Sequence, residues 1–543
     1  MPVIPINNVG QVGIIKDVPG YELPANAWTS GQNVRMTNMG VEKANGYSGT
    51  WFTPQVAPYF LYPVLTPAAY YWLYCGLNEV FAVQATYQTN ISLGGGYNAN
   101  EFRRWTGTNL GGVIILNNSV EVPQFWQFPI SHNQLLADLP NWPATDRCRV
   151  IRAYKNFLVA CNIDRSGTAF PQKVKWSHSA DVGAVPSSWD PADPTLDAGE
   201  FDMPQQGGAI LDELVLRDIN VIYRNEATWG QQFIGGNNIF RHWALFATSG
   251  ILATDCVKEF YGKHFVVTTD DVIVHDGQVP QSVIHNRARD FFFADLDNSD
   301  YDRTYVVHNR ADKEMWVCYP TSGNTLPNRA MVWSYAENHW SFRDLPGISH
   351  MAYGVLDSGA LDAWDGSQGA WNEQSLTWAT ISSTWSTDTT TWSSDSRPWN
   401  YRTYDAQLLD LMMADPTAVR TYKGDDTNTN NGTAMTSRIE RTGLIVVGRD
   451  KVDMYARKEI RAVYPKLSGT GTINIYVGQQ NAVDEAVTWS AARPYTIGTD
   501  YKADFTGDRA SNGRIMSVAF ESTGDVNWAL HSYELDIEVS GDR

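Results

Sequence analysis

The sequence predicts an all-β protein: an irregular, roughly six-bladed β-propeller with an extended N-terminal arm and a C-terminal β-sandwich. First, short runs rich in Val, Tyr, Trp and Phe, with alternating apolar and polar positions, recur between residues 70 and 366. Such runs are typical of half-buried strands. Second, the breaks between many of them are short enough only for hairpins. Third, the chain has 21 Trp and 26 Tyr but only 18% charged residues, a balance that suits many short strands.

The clearest group of strands lies between residues 303 and 344. It consists of the runs RTYVVHN, EMWVCYP, RAMVWSY and WSFRD, separated by polar breaks and one Gly/Asn/Pro loop. Four consecutive strands form a meander, whose open edges need similar sheets beside it. Six such groups recur along the chain. Repetition of this kind predicts a propeller of six blades, with one blade either way.

The remaining segments follow from length and composition, because 543 residues exceed what one hydrophobic core usually holds. Glycine and proline interrupt the start of the chain, and a polar run follows the repeated groups. Alternating strands at the end suggest a sandwich of two sheets. We therefore predict five segments: an arm at 1–48, the propeller at 49–370, a Trp/Ser/Thr-rich insert at 371–400, a linker at 401–434 and the sandwich at 435–543.

The insert carries tryptophans at intervals of seven in a Ser/Thr-rich setting. They are Trp371, Trp378, Trp385, Trp392 and Trp399. Serine and threonine at this density oppose a helix, so we interpret the insert as short strand-turn units with stacked rings. These five residues are our candidates for partner binding, as an exposed aromatic surface for a protein or a glycan. The alternative is that the rings pack against the propeller or a neighbouring subunit.

Charge and apolar patterning restrict the possible partners. The formal net charge is −18, which disfavours tight binding of nucleic acid but would let a polyanion pass without adhering. Plain solubility explains the same charge. No apolar run approaches the roughly 20 residues of a membrane helix, and the N-terminus lacks the features of a signal peptide. We therefore expect no membrane insertion and synthesis in a cytoplasm.

The five cysteines give no metal-binding or redox motif. Their number is odd, their spacing is wide, and most lie in strand-like apolar runs; they are Cys75, Cys148, Cys161, Cys256 and Cys318. We predict buried, reduced thiols.

A search for catalytic, cofactor-binding and metal-binding motifs predicts none. The segment 295–302 has alternating carboxylates like a calcium loop, but Asp300 replaces the required glycine and Val306 the required glutamate. We interpret it as a solvated turn. The segment 386–392 resembles the Asp-box of sialidases but is one residue short and lacks the glycine. A pair of carboxylates that meet only in the folded chain leaves a propeller glycosidase open.

The histidines are scattered, and no triad or zinc-protease spacing is visible. Two small basic clusters are present, Arg147, Arg149 and Arg152 and then Arg287 and Arg289. We predict that they form ordinary surface or interface pairs rather than phosphate contacts.

Several stretches of the chain resemble one protein family. They are the arm sequence at 5–36, the strand group at 214–243, and the hairpins at 262–277 and 329–342. Together they look like the tail nozzle proteins of short-tailed bacteriophages, also called tail tubular protein B. The resemblance covers about the first 370 residues well and the remainder loosely, and the insert has no counterpart.

The resemblance implies a structural virion protein and no catalytic residue. Six copies would form the distal tail tube beneath the adaptor that caps the portal, as a conduit and gate for ejection of genomic DNA. Implied partners are the other five copies, the adaptor, tail fibres and double-stranded DNA that passes without specific binding. The implied location is the virion tail, after synthesis in the bacterial host cytoplasm.

Two expectations accompany this interpretation. Acidic side chains should outnumber basic ones on the inner wall of the tube, because repulsion would ease the exit of DNA. The hexamer should form only on the adaptor. The alternatives are a receptor-binding tail protein that recognises glycans through the insert, and a propeller glycosidase.

Overall fold

In the computed structural model, β-strands are the main regular elements of the described residues. The one α-helix among the described residues is Arg289–Asp295, and the short 3₁₀ turns are Gly20–Glu22, Tyr301–Arg303 and Arg509–Ser511. None of the helices in the described part of the chain has the length and apolar character of a membrane span. The residues described are 3–65, 70–84, 87–101, 104–127, 133–204, 207–236, 238–356, 409–448 and 451–541.

Seven four-stranded antiparallel sheets follow one another along the chain. Sheet 1 contains Phe60–Leu65, Tyr70–Cys75, Val80–Gln84 and Tyr87–Asn90. Sheet 2 contains Thr106–Leu110, Val113–Asn117, Gln124–Trp126 and Ala137–Asp138. Sheet 3 contains Asp146–Tyr154, Phe157–Arg165, Thr168–Trp176 and Gly199–Asp202. Sheet 4 contains Ile210–Leu216, Ile219–Arg224, Thr228–Phe233 and Phe240–Phe246.

The last three sheets have the same strand order. Sheet 5 contains Val257–Phe260, Lys263–Val267, Val272–His275 and Gln281–Ser282. Sheet 6 contains Tyr305–Asn309, Glu314–Tyr319, Arg329–Ser334 and His339–Asp344. Sheet 7 contains His350–Val355, Leu409–Asp415, Arg420–Gly424 and, from the start of the chain, Tyr47–Gly49. The four-stranded group predicted between residues 303 and 344 is confirmed as sheet 6.

The described sheets number seven where the sequence predicted six, within the margin of one that it left. Sheets 1 and 2 correspond to one predicted group, and sheet 7 begins in the sixth predicted group, at 350–366. The second strand of sheet 7, Leu409–Asp415, lies in the segment predicted as a linker. That strand is buried on both faces. Leu411 and Met413 pack toward sheet 6, whereas Met412 and Ala414 pack toward sheet 1. The segment 357–408 separates this strand from the first strand of sheet 7, so no short turn marked the two as a hairpin.

The seven sheets form a propeller-like closed ring. First strands of neighbouring sheets are in contact from sheet 2 to sheet 7, and sheet 7 contacts sheet 1. Sheets 1 and 2 meet at Gly107, where a Cβ atom would lie 2.6 Å from the Tyr62 ring. Only glycine permits this approach. Strand Tyr47–Gly49 closes the ring by pairing Tyr47 with Gly424.

Two larger sheets combine both ends of the chain. The seven-stranded sheet contains Val3–Ile6, Val34–Thr37, Gly40–Lys43, Arg457–Thr470, Ala503–Asp504, Asn512–Gly513 and Asn527–Gly541. The six-stranded sheet contains Ser30–Gln32, Thr436–Leu444, Thr472–Gln480, Thr488–Trp489, Arg493–Thr496 and Ile515–Thr523. The pair Val446–Gly448 and Lys451–Val452 forms a small separate ladder.

The N-terminal arm, predicted as extended, therefore supplies strands to these two sheets. Ile4 pairs with Leu535, and Val41 pairs with Leu530. The long strand Asn527–Gly541 offers backbone hydrogen-bonding groups that the short arm strands satisfy, and Ile4 and Val41 are buried there. The arm and the C-terminal segment thus share one hydrophobic core.

This double-sheet body attaches to the outer strand of sheet 6. The backbone N–H of Asn33 donates to the carbonyl of Phe342 at 2.9 Å, and that of Ile14 donates to Trp340 at 3.4 Å. Within the body, the Trp528 indole N–H lies 3.0 Å from Ser437 Oγ and 2.9 Å from Ser522 Oγ. Burial of this ring together with its paired N–H makes it a centre of the body's core.

Candidate functional site on the turn face of the ring

The ring has two unlike faces because each sheet is a simple meander. The turns between first and second strands and between third and fourth strands lie at one end of a sheet, and the remaining connections lie at the other. Turns of neighbouring sheets touch: Tyr154 Oη donates to the carbonyl of Asp218 at 2.6 Å, and the N–H of Gly183 donates to Gly111 at 2.9 Å. We call this end the turn face and the other end the link face.

Exposed apolar side chains are concentrated on the turn face. Among the described residues of the ring, nine large apolar side chains are exposed, and eight of them lie at or beside turn-face turns. The eight are Leu65, Tyr87, Leu135, Val182, Phe233, Ile234, Tyr261 and Val279, whereas Tyr301 lies on the link face. Exposed apolar surface of this kind is typical of interaction sites.

The candidate partner-binding tryptophans lie outside the described residues. Trp371, Trp378, Trp385, Trp392 and Trp399 fall in the segment 357–408, which joins the first two strands of sheet 7. Val355 and Leu409 pair with each other at the ends of this segment. The segment therefore leaves and re-enters the described chain on the turn face.

Buried ion pairs fill the space between the first strands of sheets 3, 4 and 5. Arg152 Nη2 lies 3.1 Å from Asp212 and 3.0 Å from Asp255. Burial alone would lower the pKa of Arg152, but the two carboxylates outweigh it and raise that pKa. Arg147 donates to the carbonyl of Val120 at 2.8 Å. Arg152 thus forms ion pairs, but inside the ring rather than at the surface, whereas Arg147 bonds to a backbone carbonyl.

A second ionic cluster ties the N-terminal strands to the ring. Asp312, Glu314 and Asp425 bring carboxylate oxygens within 4.8 Å of one another, a spacing that could suit a cation. Arg35 instead lies between them, 3.0 Å from Asp312 and 2.9 Å from Glu314, and it also contacts Asp425. Arg343 pairs with Asp425 at 2.8 Å. Guanidinium groups occupy the positions a metal would take, so the cluster is an ion-pair network.

The carboxyl groups of this network differ in pKa. Burial, together with the neighbouring carboxylates, raises the pKa of Asp312 to about 6 despite Arg35. Burial would also raise the pKa of Asp425, but Arg343 and Arg35 outweigh it and hold that pKa well below its usual range. The network therefore loses negative charge at Asp312 first as the pH falls.

Two histidines of sheet 5 share one tyrosine of sheet 4. Tyr223 Oη lies 2.7 Å from His264 Nδ1 and 2.8 Å from His275 Nε2. Because His264 Nε2 lies 3.0 Å from the carbonyl of Val215, it carries the proton, so Tyr223 donates to Nδ1 and accepts from His275. Burial lowers the pKa of both rings, to about 3 for His264 and about 4 for His275. Both are neutral core residues. They face each other as partners on neighbouring strands of sheet 5, and the packing of sheet 4 against sheet 5 brings Tyr223 to them.

Glu213 is a buried carboxyl group in sheet 4. Burial raises its pKa to about 8, although Asn220 Nδ2 donates to Oε2 at 2.7 Å. The group is therefore largely protonated at neutral pH. No sequence pattern predicted this group, because an isolated glutamate in a strand normally faces solvent.

The calcium-like segment forms local hydrogen bonds, as expected for a turn. Asp297 Oδ1 accepts the backbone N–H groups of Ser299 at 2.7 Å and Asp300 at 3.0 Å. Asp295 pairs with Arg329 at 2.6 Å. The five cysteines are all buried free thiols, as predicted.

A cleft of about 420 Å³ opens between sheets 5 and 6. Its lining combines aromatic residues with basic and amide side chains, and it reaches the turn face at Lys263 and Asn338. We call it the basic cleft.

Comparisons with protein families and with curated proteins gave no match. Solved structures share weak similarity. A functionally unknown protein from Desulfotomaculum acetoxidans is 10% identical, with 52% of this chain and 89% of that chain covered and a TM-score of 0.30. Apo AztD from Citrobacter koseri is 11% identical, with 54% and 86% covered and a TM-score of 0.31. The CNH domain of AfRom2 is 8% identical, with 58% and 91% covered and a TM-score of 0.32.

Proposed function

We propose that this chain is a structural subunit of the distal tail tube of a short-tailed bacteriophage. Six copies would form the nozzle beneath the portal adaptor, a conduit and gate for DNA ejection. Within each subunit, we infer that the seven sheets are the blades of one β-propeller and that the two larger sheets pack face to face as a β-sandwich. Synthesis in the host cytoplasm and assembly into the virion tail follow from this role.

The observation that carries the proposal is the one-sided distribution of exposed apolar side chains on the ring. Leu65, Tyr87, Leu135 and Val182 lie on the turns of the first three sheets at exposures of 54–86%. A monomeric protein rarely exposes several large apolar side chains on one face. A subunit that packs against other protein chains in a permanent assembly would bury them.

The charge of the chain suits passage of DNA without binding. Six copies would carry a formal charge of about −108 before counterions. The buried arginines Arg35 and Arg152 are paired with carboxylates and are not free to hold phosphates. We propose that the wall facing the DNA carries more acidic than basic side chains, so that repulsion prevents adhesion.

No catalytic or cofactor-dependent role is part of this proposal. The buried titratable groups that the fold brings together have structural partners: Asp212 pairs with Arg152, Asp425 pairs with Arg343, and His264 bonds to Tyr223. These contacts explain their burial without a reaction.

The experiment is assembly on the isolated adaptor, followed by mass photometry. The purified chain alone is expected as a monomer, and six copies are expected on each adaptor ring. The double variant Tyr87→Asp with Val182→Asp should fail to assemble, whereas Tyr301→Asp on the link face should assemble normally. Normal assembly of the turn-face variant would contradict the assigned docking face. A failure of the unmodified chain to bind the adaptor would contradict the proposed function.

A further inference from the structure

We propose that the basic cleft binds an acidic oligosaccharide, a short run of pyranose rings that carries carboxylate groups. This activity goes beyond the role of a tube subunit and does not depend on it. The cleft lies between sheets 5 and 6, whereas the docking residues, such as Leu65, Tyr87 and Val182, lie on the first three sheets, so a bound sugar and a docked protein would use different parts of the face.

Aromatic rings form the floor and one wall of the cleft. Phe260 and Trp333 lie at the floor with ring centroids 5.9 Å apart. Tyr335 forms the wall, 5.2 Å from Phe260. Tyr261 stands at the rim, 5.7 Å from Tyr335 and 76% exposed. The apolar C–H faces of pyranose sugars pack well on such aromatic rings. The hydroxyl groups at the edges of the sugars then remain available for hydrogen bonds.

The backbone turn at the rim holds Tyr261 outward. Tyr261 has a φ of 46° and Gly262 a φ of 70°, so two successive residues adopt the left-handed conformation that two-residue hairpin turns require. A tyrosine in this conformation is costly, because most side chains avoid it. The exposed phenol of Tyr261 thus stands beside Tyr335 at the rim of the cleft.

Basic side chains without carboxylate partners line the cleft. In the described part of the chain, Lys263, His285 and Arg287 form no ion pair within 4.0 Å, although the chain has 59 acidic residues against 41 Lys and Arg. Arg287 is held in place by donation from Nη1 to the carbonyl of Val12 at 2.7 Å. No carboxylate belongs to the described lining. The cleft is therefore a local cationic site on an acidic protein, suited to a carboxylate ligand.

Amide groups add neutral donors beside Lys263 and Arg287. Asn338 Oδ1 accepts the Trp333 indole N–H at 3.1 Å, which fixes the amide so that its NH₂ group is left for a ligand. Gln281 lies exposed in the lining. Amides of this kind pair with sugar hydroxyl groups, and the volume of the cleft lies within the range of small-ligand sites.

The rim of the cleft disfavours a nucleic acid as ligand. Glu337 directly precedes Asn338, and Asp271 accepts from Ser282 Oγ at 2.8 Å. A polyanion with one charge on every nucleotide would extend beyond the cleft onto these carboxylates. A sugar chain with one carboxylate on every second ring can place a carboxylate beside Lys263. Its neutral rings would then lie next to the acidic rim.

The test is titration of the full chain with a tetrasaccharide of alternating glucuronic acid and N-acetylglucosamine, measured by calorimetry. We expect saturable binding that is at least tenfold weaker for Lys263→Glu and at least fivefold weaker for Tyr261→Ala. The matched control Tyr87→Ala, an exposed tyrosine on sheet 1, should bind normally. Tetra-N-acetylchitotetraose, which has no carboxylate, should bind at least tenfold more weakly than the acidic sugar. Thermal melting of each variant shows that the fold is intact.

Four results would overturn the proposal. They are no binding of the acidic tetrasaccharide, equal binding by Lys263→Glu, tighter binding of an eight-residue oligothymidylate, or loss of sugar binding only in Trp385→Ala. The last result would place sugar recognition in the insert. Assembly on the adaptor is unaffected by any of them, so the two proposals fail separately.

Discussion

Replacement of Arg35 by methionine should weaken the attachment of the N-terminal strands to the ring. The loss of stability should be larger than that from breaking a surface ion pair. Arg35 lies on strand Val34–Thr37, while its partners Asp312 and Glu314 belong to sheet 6 and Asp425 follows sheet 7. One side chain therefore joins three parts of the fold. Methionine keeps most of the aliphatic volume and removes the charge and the donors.

The expected cost follows from the burial of the partners. The side chains of Glu314 and Asp425 are only 5% and 6% exposed. Breaking a buried ion pair by removing one partner costs about 3–5 kcal/mol, because the other charge remains desolvated. Arg343 still pairs with Asp425 at 2.8 Å, and the Trp316 indole N–H still lies 2.9 Å from Glu314. We therefore expect a loss of about 3 kcal/mol, at the lower end of that range.

The assay is urea unfolding at pH 7, followed by tryptophan fluorescence and circular dichroism. Lys466→Met is the matched control, since Lys466 pairs with Glu534 at 3.0 Å but its side chain is 60% exposed. Such a pair contributes about 0–1 kcal/mol. Adding Glu314→Gln to the Arg35 variant should recover at least about 1 kcal/mol by removing the stranded charge. Equal stability of the Arg35 and Lys466 variants would refute the reasoning.

Three further changes test the buried groups. The neutral carboxyl of Glu213 contributes to stability in full below its ordinary pKa near 4.5, and this contribution is lost as the pH rises toward about 8. E213Q should reduce the loss of stability between pH 5 and pH 8, measured as urea denaturation midpoints. An unchanged difference between the two midpoints would contradict the burial argument. Tyr223→Phe removes the hydroxyl that joins His264 and His275 and should cost about 2–4 kcal/mol in urea unfolding; a loss below 0.5 kcal/mol, roughly the level of a neutral surface change, would contradict it. Trp528→Ala should cost about 3–5 kcal/mol, and a cost under about 1 kcal/mol would show that this ring is not central to the double-sheet body.

Local patterning predicted the strands, whereas their assembly depended on contacts that a sequence pattern does not contain. The runs of sheet 6 alternate and are joined by short turns, so their order was predictable. Strand Tyr47–Gly49 was not, because its partner Arg420–Gly424 lies more than 370 residues later. Three residues carry too little periodicity to identify a strand that closes a ring.

The candidate sites likewise depend on contacts that a sequence pattern does not contain. Lone basic residues such as Lys263 and Arg287 have no meaning until the fold places them around one cleft with Trp333 and Tyr335. The ion-pair network of Arg35 likewise joins residues almost 400 positions apart. The partner-binding site that the sequence predicted, the five tryptophans from Trp371 to Trp399, lies in the segment 357–408, outside the described residues.

Electron microscopy of intact particles labelled at the C-terminus of this chain tests the central proposal most directly. The proposal predicts six labels arranged around the tail axis at the distal tube, below the adaptor. Labels on the capsid, labels in another number around the axis, or particles without label would contradict the assignment of this chain as a subunit of the tail tube.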